Sequence, residues 1–101
     1  MNVFQKAGTI NVFLDESDFE NTNDRFVSSL IELISLSENK EIRYKLKNIV
    51  DIPLDKLGIL LSFSQNLRKK NATISMQVNE KLETALSELG VGDLLDSIDR
   101  E

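Results

Sequence analysis

Residues 41–48 read Glu-Ile-Arg-Tyr-Lys-Leu-Lys-Asn, and their strict alternation decides the fold. The apolar side consists of Ile42, Tyr44 and Leu46, and the basic side of Arg43, Lys45 and Lys47. A period of two is typical of a strand with one buried side. Strands of a sheet that is covered on both faces are apolar almost throughout, whereas this one is apolar on one side only. We therefore predict a sheet with helices on one face and water on the other.

Two further segments alternate in the same way. They are residues 9–14, Thr-Ile-Asn-Val-Phe-Leu, and residues 72–78, Ala-Thr-Ile-Ser-Met-Gln-Val. Residues 1–6 are predicted to pair with residues 9–14 as a short edge strand, across a turn at Ala7-Gly8. The expected open face of the sheet carries Arg43, Lys45, Lys47, Thr73, Ser75 and Gln77.

Helical patterns separate the strands. One follows the candidate caps Asn21, Thr22 and Asn23 and fades near residues 37–39, and a second covers residues 54–70 behind Pro53. A third starts after Asn79 and ends at Gly90. Residues 15–23 are predicted to be a loop, and residues 93–98 a last helical turn or a strand stub. Because strands and helices alternate, the chain is predicted to be one α/β domain over residues 1–101, with a small, mixed, mostly parallel sheet and right-handed crossovers.

The composition excludes several classes of function. The chain of 101 residues has a formal net charge of -5, which argues against a nucleic-acid or anionic-membrane surface. It contains no cysteine and no histidine, so disulfides, thiolate metal sites and histidine general bases are excluded. No apolar run approaches the roughly 20 residues that cross a bilayer, and the first residues do not form a secretory signal. We expect a cytoplasmic, non-enzymatic protein with no cofactor and no metal.

The segment from residue 48 to residue 95 resembles the STAS domain, the fold of bacterial anti-sigma-factor antagonists. The family pattern D-L-S-x-V-x-x-I-D-S-S-G-L-G-V-L has its counterpart in residues 45–60, Lys-Leu-Lys-Asn-Ile-Val-Asp-Ile-Pro-Leu-Asp-Lys-Leu-Gly-Ile-Leu. Residues 67–71, 78–81 and 89–95 resemble the later family motifs, and residues 14–19 lie where the family has its L-S-G-x-L-D loop. The resemblance implies helices on one side of the sheet, in agreement with the alternation, and a role in transcription regulation by partner switching.

The resemblance fails at the turn that a partner kinase phosphorylates in such antagonists. Pro53, Leu54, Asp55 and Lys56 replace the D-S-S-G turn, so no hydroxyl is present there. Asp55, which matches the phosphoacceptor serine, has three interpretations. It is a solvated carboxylate that stabilises the first turn of a helix, a permanent charge that partly imitates a phosphorylated state, or, least supported, a phosphoaspartate site.

Residues 57–63, Leu-Gly-Ile-Leu-Leu-Ser-Phe, are apolar nearly all round a helix. This surplus indicates either burial beneath neighbouring helices or an exposed patch that docks a partner. Gly58 is expected to let the helix approach the sheet. The basic row of Arg43, Lys45 and Lys47 is either a solvated strand face or a site for an acidic partner. The acidic side chains of residues 15–20 lack calcium-loop spacing, so we expect solvation.

By the resemblance, the protein is a regulatory module that binds an anti-sigma factor or a related histidine-kinase-like ATPase. The alternative is a small STAS-domain structural subunit of a bacterial lipid-transport ATPase complex. The expected contacts are Pro53, Leu54, Asp55, Lys56, Ile59, Ser62 and Phe63, with Asp18 and Phe19 of the neighbouring loop. We expect no nucleic-acid partner, no membrane insertion, and a monomer or weak homodimer.

Overall fold

The computed structural model describes residues 1–34, 40–92 and 95–100, apart from the side chains of residues 33 and 34. The predicted fading of a helix near residues 37–39 lies outside these ranges. The elements, in chain order, are β1 (Asn2–Lys6), β2 (Thr9–Phe13), α1 (Glu16–Glu20), α2 (Asn23–Ile34), β3 (Glu41–Leu46), α3 (Leu54–Arg68), β4 (Thr73–Val78), α4 (Glu80–Leu89) and β5 (Ser97–Arg100).

The strands form one sheet in the order β1-β2-β3-β4-β5. β1 and β2 pair antiparallel, and each later pair is parallel. Each parallel crossover therefore moves one strand further in the same direction. Right-handed crossovers that all advance in one direction place their helices on the same face of the sheet. The mixed, mostly parallel α/β fold predicted from the sequence is confirmed.

Burial follows the alternation. Strand residues on the covered face are fully buried: Ile10, Val12, Ile42, Tyr44, Leu46, Ile74, Met76 and Val78. The helices add to the same cluster Phe26, Leu30, Leu57, Leu60, Leu82 and Leu86. Full burial of a large apolar side chain stabilises the fold by about 1.5–3 kcal/mol, so this one cluster supplies most of the driving force.

The open face of the sheet is polar, but most of its side chains are only partly exposed to solvent. Arg43 donates to Glu41 at 2.7 Å, and the Lys45 ammonium lies 5.4 Å from the centre of the Phe13 ring. Ser75 differs from expectation because it is only 5% exposed, between the neighbouring strands. Lys47 also differs, because β3 ends at Leu46 and Lys47 belongs to the turn that follows.

The predicted hairpin turn and the predicted caps of α4 are present, whereas the candidate cap Asn23 is the first residue of α2. Ala7 and Gly8 both have positive φ angles, 50° and 85°, as the two central residues of a type I′ hairpin turn require. The side chain of Asn79 accepts from the backbone N–H of Leu82, and Gly90 ends α4 in the left-handed conformation. These residues mark where the helix and hairpin begin and end.

One prediction of local structure was wrong, and one open alternative is decided. Residues 15–23 contain the helix α1 where a loop was expected, because Asp15 caps it and Phe19 anchors it in the core. The chain near residue 98 forms the edge strand β5 and not a helical turn, so the strand alternative was the right one. Its pairing with β4 is a long-range contact, which the local pattern of a four-residue strand does not reveal.

Candidate partner-binding site

The carboxyl ends of β2 and β3 bring two distant parts of the sequence together. A groove of about 230 Å³ lies between α1 and the segment that leads from β3 into α3. It is lined by Glu16, Phe19, Glu20, Ile49, Val50, Asp51 and Pro53. The two segments that the sequence predicted to form one surface are thus neighbours.

The α1 side of the groove is held rigidly by a reciprocal cap. The Asp15 carboxylate accepts from the backbone N–H of Ser17 at 3.0 Å and of Asp18 at 3.3 Å. Asp18 in turn accepts from the Asp15 N–H at 2.9 Å. A further hydrogen bond from the Ser17 hydroxyl is the main cause that lowers the pKa of Asp15. Asp15 and Asp18 therefore cap the start of α1.

Asp18 and Phe19 lie mostly inside the protein, each 6% exposed. Asp18 forms an ion pair with the amino group of Met1, and the Phe19 ring packs against Phe26 with 5.6 Å between ring centres. Phe19 reaches the groove only as part of its floor. These two residues shape the surface more than they offer side chains to a partner.

The α3 side presents the exposed apolar groups. Pro53 is the N-cap of α3, with an extended ψ of 138°, one position earlier than the first helical turn expected from the sequence. Leu54 directly after it is 71% exposed, and Val50 is 52% exposed. Val50 was missed by sequence reasoning, although it is the exposed member of the apolar pair Ile49-Val50 directly after β3.

Asp55 is part of a small polar cluster at the start of α3. Its carboxylate accepts from the backbone N–H of Lys56 at 2.9 Å and lies 3.6 Å from the Lys56 ammonium. The backbone hydrogen bond is the main cause that lowers the pKa of Asp55, and the Lys56 charge and the Asn23 amide act in the same direction. Asp55 is exposed, so it keeps its negative charge at the surface at neutral pH.

Lys56 does not point into solvent. It is 5% exposed, and its ammonium donates to the side-chain oxygen of Asn23 at the start of α2. This contact joins the beginnings of α2 and α3. Asn23 had been considered only as a helix cap, and no local signal in the sequence pairs it with Lys56.

The outer side of α3 is less apolar than the sequence suggested. Leu57, Leu60 and Leu61 are buried, while Ile59 and Phe63 are partly buried against the core and Ser62 is exposed. Most of the apolar surplus is thus covered, as the burial alternative proposed. The exposed apolar surface lies at Leu54 and Val50.

The expected role of Gly58 is not seen. A Cβ atom built at this position would meet no atom within 4 Å, and Gly58 is on the exposed side of α3. A close approach to the sheet therefore does not require a glycine here.

A second depression, of about 450 Å³, lies next to the groove at the end of β2 and β3. It is lined by Phe13, Leu14, Asp15, Lys45, Lys47 and Asn48. Two of the three residues of the predicted basic row thus border this depression, while Arg43 is paired with Glu41.

The carboxyl edge of the sheet combines exposed apolar side chains with a surface charge. In the described ranges, no three acidic side chains come close enough to hold a metal ion. None of the described helices is both long and apolar enough to cross a membrane. What the edge offers is exposed apolar surface at Val50 and Leu54 beside the fixed charge of Asp55.

No family model matches the chain, and no curated protein matches it either. Among solved structures, the chain is similar to the one titled "NMR Structure of the protein TM1081", with a TM-score of 0.78 and 16% sequence identity. The alignment covers 97% of this chain and 79% of the other. At this identity the similarity supports the fold alone, so the architecture described above recurs in a protein of very different sequence.

Proposed function

We propose that this protein is a non-enzymatic regulatory module that binds another protein through the carboxyl edge of its sheet. The observation that carries the proposal is the exposure of Val50, which lines the groove completed by α1, and of Leu54, which follows the groove residue Pro53 and precedes the charged Asp55. Large exposed apolar side chains that cluster and are rimmed by charges are typical of protein-interaction sites.

The resemblance of residues 48–95 to STAS domains supports a choice of partner. On that basis, the partner is an anti-sigma factor or a related histidine-kinase-like ATPase in the cytoplasm. Asp55 then serves as a fixed negative charge at the position where the family carries a switchable serine. Its low pKa keeps this charge constant through the physiological pH range.

The first test is capture of the partner with the tagged full chain from its source cells. Leu54→Asp is expected to abolish capture without loss of stability, because this side chain is 71% exposed. Leu89→Asp is a matched control: Leu89 is 52% exposed but ends α4, at the opposite edge of the sheet from the start of α3. Recovery of a kinase-like regulator supports the proposal, and recovery of a transporter ATPase replaces it with the structural-subunit alternative. Equal capture by Leu54→Asp and by the unchanged chain would refute the site.

The second test addresses the charge of Asp55. Asp55→Asn removes the charge but keeps the shape, and we expect weaker binding of the recovered partner. Asp55→Ser restores a hydroxyl at the switch position, and a partner with regulatory kinase activity is expected to phosphorylate it. If Asp55→Asn binds the partner with unchanged affinity, the fixed charge has no role in binding.

A further inference from the structure

Strand β1 is an edge strand without the usual protection against pairing. All five of its residues are exposed, with Val3 at 41% and Phe4 at 61%. It contains no proline, its register with β2 is continuous, and its single charge is Lys6 at the end next to the turn. No strand among the described residues covers its outer edge. Such edges are templates for another strand.

The direction of the backbone groups of β1 follows from its turn. A two-residue hairpin turn makes Lys6 and Thr9 a hydrogen-bonded pair, and alternation makes Phe4 and Asn11 the next one. The N–H and C=O groups of Val3 and Gln5 must therefore point away from β2.

The other side of β2 supports this assignment independently. The Gly8 carbonyl accepts from Glu41 at 3.2 Å, and the Leu14 N–H donates to Lys45 at 3.1 Å. The backbone N–H and C=O groups of the even-numbered residues from 8 to 14 thus point toward β3. Odd-numbered residues, including Asn11, are left to bond with β1.

We propose that β1 pairs antiparallel with β1 of a second copy of this chain, centred on Phe4. In this register Val3 of each copy lies opposite Gln5 of the other, and each such pair exchanges two backbone hydrogen bonds. The two sheets become one continuous sheet, related by a two-fold axis.

The side chains make this register self-complementary. Phe4 faces Phe4 of the second copy in a non-hydrogen-bonded pair, where Cα atoms approach to about 4.5 Å. Phe4 already contacts Phe13 edge-on at 5.7 Å, so the dimer joins two aromatic pairs on the open face. Lys6 lies opposite Asn2, so no like charges meet. This self-complementarity is the reason to assign a second copy rather than an unrelated strand.

A charge exchange at position 4 tests the register. Phe4→Lys and Phe4→Glu each place like charges opposite one another, and each is expected to weaken self-association by roughly tenfold or more. An equal mixture of the two is expected to associate more tightly than either variant alone. Leu89→Lys, at an exposed apolar position far from β1, is expected to associate like the unchanged chain. Sedimentation measures association, and circular dichroism checks that each variant is folded.

The outcomes of these measurements either support or overturn the pairing of two β1 strands. The proposal is supported if the unchanged chain dimerises with rising concentration, the single variants do not, and their mixture does. It is overturned if the unchanged chain stays monomeric up to about millimolar concentration. It is also overturned if the single variants dimerise normally or if the mixture fails to associate.

Amide hydrogen exchange gives a second readout that does not depend on substitution. The N–H groups of Val3 and Gln5 are expected to become protected as concentration rises, while that of Phe4, bonded within the monomer, changes little. Equal response of all three amides would contradict the pairing.

Discussion

The side chain of Asn79 connects the start of α4 to the turn after β3, so its removal is expected to lower the free energy of unfolding. Its side-chain oxygen accepts from the Leu82 N–H at 2.9 Å and caps α4. Its amide group donates to the carbonyl of Lys47 at 2.9 Å and to that of Ile49 at 2.8 Å. The two bonds of the amide group hold the turn after β3, which leads to Val50 in the candidate site.

The expected cost of Asn79→Ala follows from these contacts. Loss of an N-cap costs about 1 kcal/mol, and each lost hydrogen bond to a carbonyl of the turn adds about 0.5–1 kcal/mol. We therefore expect the free energy of unfolding to fall by about 2–3 kcal/mol, and Tm to fall by roughly 10–20 °C in a domain of this size. Asn79→Ser keeps a capping oxygen but loses both bonds to the turn, so it should lose about 1–2 kcal/mol.

Urea unfolding followed by circular dichroism measures these differences. Asn48→Ala is the matched control, since Asn48 is an exposed asparagine in the same turn, and its effect should stay within about 0.5 kcal/mol. The reasoning is refuted if Asn79→Ser is as stable as the unchanged chain, because the bonds to the turn would then contribute nothing. It is also refuted if Asn79→Ala costs no more than the control.

Three further predictions concern single positions. Burial raises the pKa of Tyr44, the chain's one tyrosine, to about 12, so its absorbance should titrate near 12 when folded and near 10 in urea. Because the unfolded state loses this proton first, the contribution of Tyr44 to stability should be constant below pH 10 and fall from there to pH 12. Tyr44→Phe should remove this part of the fall, and an unchanged profile between pH 10 and 12 would contradict it. Gly58→Ala should raise the free energy of unfolding by about 0.5–1 kcal/mol, since the new methyl group meets open space in a helix; a loss in chemical denaturation would argue for a hidden contact. Gly90→Ala should lower the free energy of unfolding by about 1–2 kcal/mol, because the φ angle of Gly90 is 69°. Gly92 has no positive φ angle, and an added Cβ atom would meet no neighbour, so Gly92→Ala should leave the free energy of unfolding nearly unchanged.

The sequence by itself determined the class of fold, because alternation is a local property. The side chains of residues 41–46 show in their order which side of β3 is apolar, and this limits the helices to one face. Caps are equally local: Asn79 and Gly90 mark the ends of α4 through groups a few residues away.

Only the tertiary structure decided which of these side chains a partner can touch. Lys56 and Asp18 have charged groups that a local pattern assigns to the surface, yet distant partners, Asn23 and the amino group of Met1, hold them inside. The strand β5 likewise depends on pairing with a segment about 20 residues earlier in the chain. The physical reason is that burial and hydrogen bonding across the sheet are set by three-dimensional packing, which periodicity along the chain does not encode.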